Sequence, residues 1–459
     1  MPALTPTGAS TRERILHDGL GGLCLRLAAP AVAVTVLHGA NLLVDMVWAG
    51  HLLGTESVAA LSVVYSLNHL VFSVEALVAV GTAMVLSQAL GADSPRDASQ
   101  VYRAASLLCL LFGASLIGLG YAWAPDLLGV MGLHGRTLTL GWEYFGLYLL
   151  GMPLGLYAFV SSGLLQGHGA IGRMTVVWVL AIALNAALTP VLIEAGFGIR
   201  GAALGTMAGQ WLICVGNWHF LRRQPGFTLK PLGVGRLVLR RVLAIGQSGF
   251  TMQLVYFVQA FLVFSTVARY GDVTDIAIMG ATYRLVLLGV YLATGFSRAL
   301  QPVLGMSVGA GQWRRVRKAF GVFNLGALLT VLAYWLPLML APAFAFHLIV
   351  PGLDVTATQL GEARVYFAIM PLFPFLLTSL VLLQAVGLAR WVTWLGVIRL
   401  LLLFVPAIYV LPRVLGLPGV YWALAWMDAA LFVLVLGLVL RRLWRIVRAP
   451  SVEAVPENA

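Results

Sequence analysis

The chain has 459 residues, of which 60% are hydrophobic and only 10% charged, with a mean hydropathy of +0.93. That balance excludes a soluble globular domain, and the recurrence of apolar runs of spanning length points to an all-α polytopic membrane protein. The formal net charge of +12 sits in clusters between apolar runs, without aromatic interleaving, so it is a topology signal and not a nucleic-acid interface.

The first residues, MPALTPTGASTRERILHDG, lack a short apolar core and a cleavage site. Residues 1–25 therefore read as a cytoplasmic arm. Twelve transmembrane helices are predicted, at 26–52, 58–89, 101–123, 140–166, 173–194, 200–221, 239–269, 275–303, 317–341, 362–388, 391–412 and 418–441. Gly, Pro, Ser and Asp clusters such as ADSPRD separate them. Helices 1–6 make an N-lobe over 26–221, residues 222–238 a basic cytoplasmic linker, helices 7–12 a C-lobe over 239–441, and 442–459 a cytoplasmic tail. Most of the 29 Lys and Arg lie at the termini and in the loops after even-numbered helices. The positive-inside rule then places both termini in the cytoplasm of a multi-pass protein of the cell (inner) membrane. Trp48, Trp123 and Trp142 read as an outer aromatic belt and Trp444 as part of an inner one.

The anomaly in this apolar background is Asp45, the lone carboxylate of helix 1. His38, Asn41 and Asp45 share one helical face. An acid in hydrocarbon is tolerated where it faces a water-filled cavity or a partner, which marks it as functional. Pro30 removes one backbone donor and lowers the cost of bending that helix. Glu75 and Asn68 of helix 2 form a second polar pair with cavity-lining potential, while Arg399 and Asp428 on neighbouring helices 11 and 12 read as a structural charge pair. His168 and His347 lie near loops and read as solvated or interfacial. The three cysteines, Cys24, Cys109 and Cys214, have no metal-ligand spacing, so no metal or disulfide framework is expected.

An internal repeat organises the chain. PLGLYAFVSSGLLQGHGA from Pro153 matches PLFPFLLTSLVLLQAVGL from Pro371, with Leu165-Gln166 opposite Leu383-Gln384 and Gly201 opposite Gly419, each 218 residues on. GTAMVLSQALG from Gly81 matches GFSRALQPVLG from Gly295, 214 residues on. Two parallel six-helix halves are one architecture of secondary transporters. No P-loop, HExxH or GxSxG is present, so the expectation is a non-enzyme that moves solutes on an ion gradient, with no cofactor.

The order and spacing of several stretches resemble multidrug and toxic compound extrusion (MATE) transporters over nearly the full length. They are Pro30 with Asp45, GTAMVLSQALGADSPRDA, PLGLYAFVSSGLLQGHG, LNAALTPVLIEAGFGIRGAALGT and QPVLGMSVGAGQWRRVRKA. The resemblance implies a V-shaped central cavity between the lobes and export of amphipathic, often cationic compounds in exchange for H+ or Na+. Within the family the chain is similar to the branch of DNA-damage-inducible protein F, whose coupling acid lies in the N-lobe. That branch usually carries Asn and then Asp in helix 5, where this chain has Asn185 and then Thr189.

Counted from the predicted helix ends, Asp45, Asn185, Thr189 and Thr206 fall in one layer. With Asn41 they form the expected ion-coupling group, Asp45 acting among neutral partners. Glu75, Asn68, His38 and Gln166 are candidates for the cavity wall. The expected function is a drug/H+ (or Na+) antiporter working by alternating access on small organic molecules, as a monomer in the bilayer. A lipid-linked oligosaccharide flippase is an alternative, for which chiefly Arg284 and Arg298 offer cationic lining. A non-transporting membrane scaffold or receptor is another.

Overall fold

The computed structural model describes residues 11–131, 133–349 and 355–448. The first half comprises α1 (Thr11–His17), α2 (Leu20–Leu52), α3 (Thr55–Gly91), α4 (Pro95–Val130), α5 (Gly135–Leu150), α6 (Met152–Gly167), α7 (Ile171–Leu192) and α8 (Ile199–Leu221). The second comprises α9 (Arg236–Tyr270), α10 (Val273–Gly309), α11 (Trp313–Leu340), α12 (Pro342–Ile349), α13 (Ala357–Phe367), α14 (Phe373–Ala385), α15 (Ala389–Val397), α16 (Val405–Leu415) and α17 (Pro418–Arg448). Among the described residues, eleven segments are long and apolar enough to cross a bilayer when α5 and α6 count as one bent span. The 23 residues of α8 reach ~34 Å at 1.5 Å per residue, but Arg200, Gln210, Asn217 and His219 dilute its apolar run. The chain is an all-α polytopic membrane protein.

Several predicted helices are interrupted. The run predicted as one helix over 140–166 is α5 and α6, bent by 56° at Gly151. Pro153, inside the first turn of α6, has no N–H for the carbonyl four residues back. The run predicted over 362–388 is α13 and α14 joined by a 3-10 turn, Met370–Leu372, which contains Pro371 and is followed by Pro374 in the first turn of α14. The run over 391–412 carries a π-helical turn, Ile398–Phe404, just before Pro406, and a second π turn, Ile193–Phe197, follows α7. Such widened turns collect at functional sites because they re-aim side chains.

Part of the predicted arm is helix α1, because Ile15 and Leu16 find buried seats. Its Arg12 donates to the carbonyls of Leu90 (2.8 Å) and Gly91 (3.1 Å), which the end of α3 leaves without helical partners. Arg315 of α11 does the same for α1, donating to the carbonyls of Ile15 (2.8 Å) and Asp18 (2.7 Å). Thus α1 is tied to both halves.

The halves meet through their repeat-related long helices. The 37-residue α3 packs along α9, and the 37-residue α10 along α2. At the basic end of the bundle, near Arg236–Arg241, the halves are in close backbone contact. A Cβ on Gly91 would collide with the Met306 backbone, and one on its repeat mate Gly305 with the Ser87 side chain. Gln88 donates across the halves to the Ala385 carbonyl at 2.9 Å and accepts from Arg241 at 3.2 Å. These bonds hold the basic end shut.

Candidate functional site

A cavity of about 730 Å³ opens within the first half, between α3, α5, α6, α7 and α8. On α3, Tyr65, Asn68, Phe72 and Glu75 recur at three- and four-residue steps, so one helical face supplies them all. Phe159 of α6 stands tilted against Phe72, with ring centroids 6.4 Å apart. Trp178 of α7 meets Phe159 edge-on at 6.0 Å. The indole is fixed from behind: Trp178 Nε1 donates to Ser162 Oγ at 3.0 Å, and Asn217 Nδ2 donates to Ser161 and Ser162 at 2.9 Å.

Into this aromatic wall projects Glu75, only 2% exposed. Its Oε2 has no hydrogen-bond partner among the described residues, nor does Oδ1 of Asn68 one face-turn away. A buried carboxylate without a partner is expensive. An organic cation satisfies both features at once, because its charge meets the carboxylate and its body meets ring faces.

At the far wall, Asn185 Nδ2 donates to Thr206 Oγ1 at 3.3 Å and lies 3.5 Å from Thr189 Oγ1. The structure therefore brings these three predicted residues together. Asn185 and Thr206 line the cavity, and Thr189 stands behind them against Gly205. Pro30 lies inside α2, and its carbonyl accepts from Thr175 Oγ1 at 2.9 Å. The side chains of His38, Asn41 and Asp45 lie outside the described residues. Gln166 does not line this cavity; it donates across the halves to Gln301 and to the Arg298 carbonyl (3.2 Å). Arg399 and Asp428 meet at 3.1 Å, both buried in the second half.

The MatE family model matches residues 30–191, the stretch that carries α3, α5, α6 and most of α7. Over that stretch the chain is similar to the MATE family, and its likeness to curated and solved MATE proteins runs further. It is 22% identical to the multidrug export protein MepA of Staphylococcus aureus (strain MSSA476), over 87% of this chain and 89% of that one. It is 24% identical to an FAD transporter of Shewanella oneidensis, over 67% of this chain and 70% of that one. A MATE crystallised in the bent conformation superposes with a TM-score of 0.90 at 22% identity, covering 96% of this chain and 99% of the other.

His168 departs from its predicted solvated setting. It is buried at the end of α6, with Nε2 2.6 Å from Tyr102 Oη. The cause is the packing of α6 against α4, which brings the Tyr102 ring beside the imidazole with centroids 6.2 Å apart. Burial pushes its imidazole down to about 4. A folded-state value below the ordinary one near 6.5 means that the unfolded chain binds the extra proton first, so stability is lost as pH falls from about 6.5 toward about 4. The thermal midpoint of the detergent-purified protein is expected to drop across that window, and His168→Gln to flatten the slope. Equal slopes for both proteins would exclude His168 as the source.

The aromatic members of the site were not singled out from sequence, because Phe and Trp in apolar helices read as lipid-facing or core. Gln210 was also missed. Its signal was the repeat: Gln210 stands 218 residues before Asp428, and it too projects into a cavity.

Proposed function

We propose that this chain is a secondary multidrug exporter of the cell (inner) membrane, with both termini cytoplasmic, taking amphipathic cations in exchange for H+ or Na+ by alternating access. The observation that carries the reading is the unpartnered Glu75 carboxylate in an aromatic-walled cavity. The 87% coverage by a multidrug export protein supports it, as does the basic character of one end of the bundle. Asp45 is the coupling carboxylate, Asn41, Asn185, Thr189 and Thr206 its neutral company, and the branch is that of DNA-damage-inducible protein F. The coupling ion is the only cofactor, and the working unit is a monomer. No Lys or Arg lines this cavity among the described residues, which disfavours an anionic lipid-linked oligosaccharide as cargo.

The decisive experiment is uptake of ethidium into proteoliposomes under a pH gradient and a Na+ gradient imposed separately. Flux driven by either supports the antiporter and identifies its ion, and flux under neither removes it. In detergent, Glu75→Gln is expected to weaken ethidium binding by roughly ten- to a hundredfold, since a charge-assisted contact contributes about 1.5–3 kcal/mol. Unchanged affinity would take Glu75 out of the site.

A further inference from the structure

The second half holds a cavity of its own, about 620 Å³, between α9, α10, α14, the π turn and α17. It occupies the repeat-related place of the first. Ala181 and Gln210 line the first cavity, and their partners 218 residues on are Arg399 and Asp428, which line the second. The repeat has thus kept the cavity and changed its chemistry from a lone acid to an ion pair.

Three buried polar atoms of that cavity have no hydrogen-bond partner among the described residues. They are Nε of Arg399, Oδ2 of Asp428 and Oε1 of Gln259, on three different helical segments. Side-chain exposure is 8% for Arg399 and 3% for Asp428, and Gln259 is 1% exposed. A pair serving helix packing alone is stabilising only when its remaining lone pairs and protons are satisfied, and here they are not. The Arg399 guanidinium lies 5.1 Å from the centroid of the Tyr256 ring, and Tyr283 and Tyr366 add two more aromatic walls. Arg399 itself is carried by the π turn Ile398–Phe404, which sets it apart from the regular register of α15 and α16.

We propose that this cavity is a second ligand site, selective for a net-neutral aromatic molecule whose polar edge carries a hydrogen-bond donor and an acceptor side by side. The donor answers Asp428 Oδ2 or Gln259 Oε1, the acceptor answers the Arg399 guanidinium, and the ring body lies among the tyrosines. The site has no net charge, so it offers a cation nothing like the Glu75 setting. This inference stands on the second cavity alone and does not require the first to bind cations.

The test uses the purified full chain and two fluorescent probes. One is 1,8-naphthalimide, whose imide N–H lies between two carbonyls, and the other is ethidium. The expected result is that naphthalimide binds the wild type and that ethidium does not displace it. Removing both charges together, Arg399→Leu with Asp428→Leu, avoids stranding one buried ion. It is expected to weaken naphthalimide at least about tenfold while ethidium stays within about twofold. Tyr256→Leu, which keeps the ion pair, is expected to weaken naphthalimide as well and serves if the double variant does not fold. Glu75→Gln is expected to leave naphthalimide unchanged. Failure of naphthalimide to bind the wild type, its displacement by ethidium, or undiminished binding in the Arg399/Asp428 and Tyr256 variants would overturn the proposal. Failure of ethidium alone would strike the cation-export reading and leave this one standing.

Discussion

Asp45→Asn is expected to insert and fold normally, to bind ethidium, and to show no gradient-driven export. The substitution keeps the shape and hydrogen-bonding edge of a protonated carboxyl and removes the ability to ionise. A carrier that moves one proton per cycle needs that change of charge, because the ionised form resists the dry helix arrangement that the neutral form enters. The neutral residues at its depth cannot replace it. Asn185 and Thr206, which hydrogen-bond each other at 3.3 Å, donate and accept without titrating. Asn185→Ala and Thr206→Ala are therefore expected to lower export partially, since each removal leaves the other able to bond. The measurement is ethidium transport in proteoliposomes at matched protein content. Undiminished, pH-gradient-dependent export by Asp45→Asn would end this mechanism and move the search to Glu75.

The spans were legible because hydropathy is a summed property. Among the described residues, the spanning runs stay apolar over enough residues that single exceptions do not erase them, and of the twelve predicted helices α8 falls below that signal. Where helices break was less legible. Pro153 and Pro371 sit in equivalent repeats, and both mark an interruption, yet proline inside a membrane helix is compatible with a continuous one when neighbours satisfy the freed carbonyl. The repeat also relates the two sites to each other. It equates Gln210 with Asp428 and Ala181 with Arg399, residues that line the two cavities in the structure. Their chemistry was not legible, because Phe72, Phe159, Trp178 and Tyr256 become a wall only when four or five helices converge. His168 was misread for a similar reason. Its burial depends on Tyr102, 66 residues away, and proximity to a loop says nothing about that contact.

Gly91→Val is expected to open the basic end of the bundle and to reduce export about tenfold or more. Helix α3 ends there against α10, and a side chain at Gly91 meets the backbone of Met306, which cannot rotate aside as a side chain could. Overpacking of this kind typically costs about 1–3 kcal/mol. Because the clash exists only while the halves are closed at this end, the whole penalty falls on one conformation and shifts the open-to-closed ratio by roughly 5- to 150-fold. The bonds that shut this end act on the same closed state, Arg315 to Ile15 and Asp18 and Gln88 to Ala385, so they weaken together as the halves separate. Ethidium affinity should stay within about twofold, since the cavity around Glu75 belongs to the first half alone and distant changes add independently. Spin labels at the exposed Arg96 and Arg314 report the separation directly. The expected result is a longer and broader distance distribution in Gly91→Val than in the wild type, together with the loss of export. An unchanged distance with unchanged export would mean that the closed basic end is not a state through which the transporter must pass.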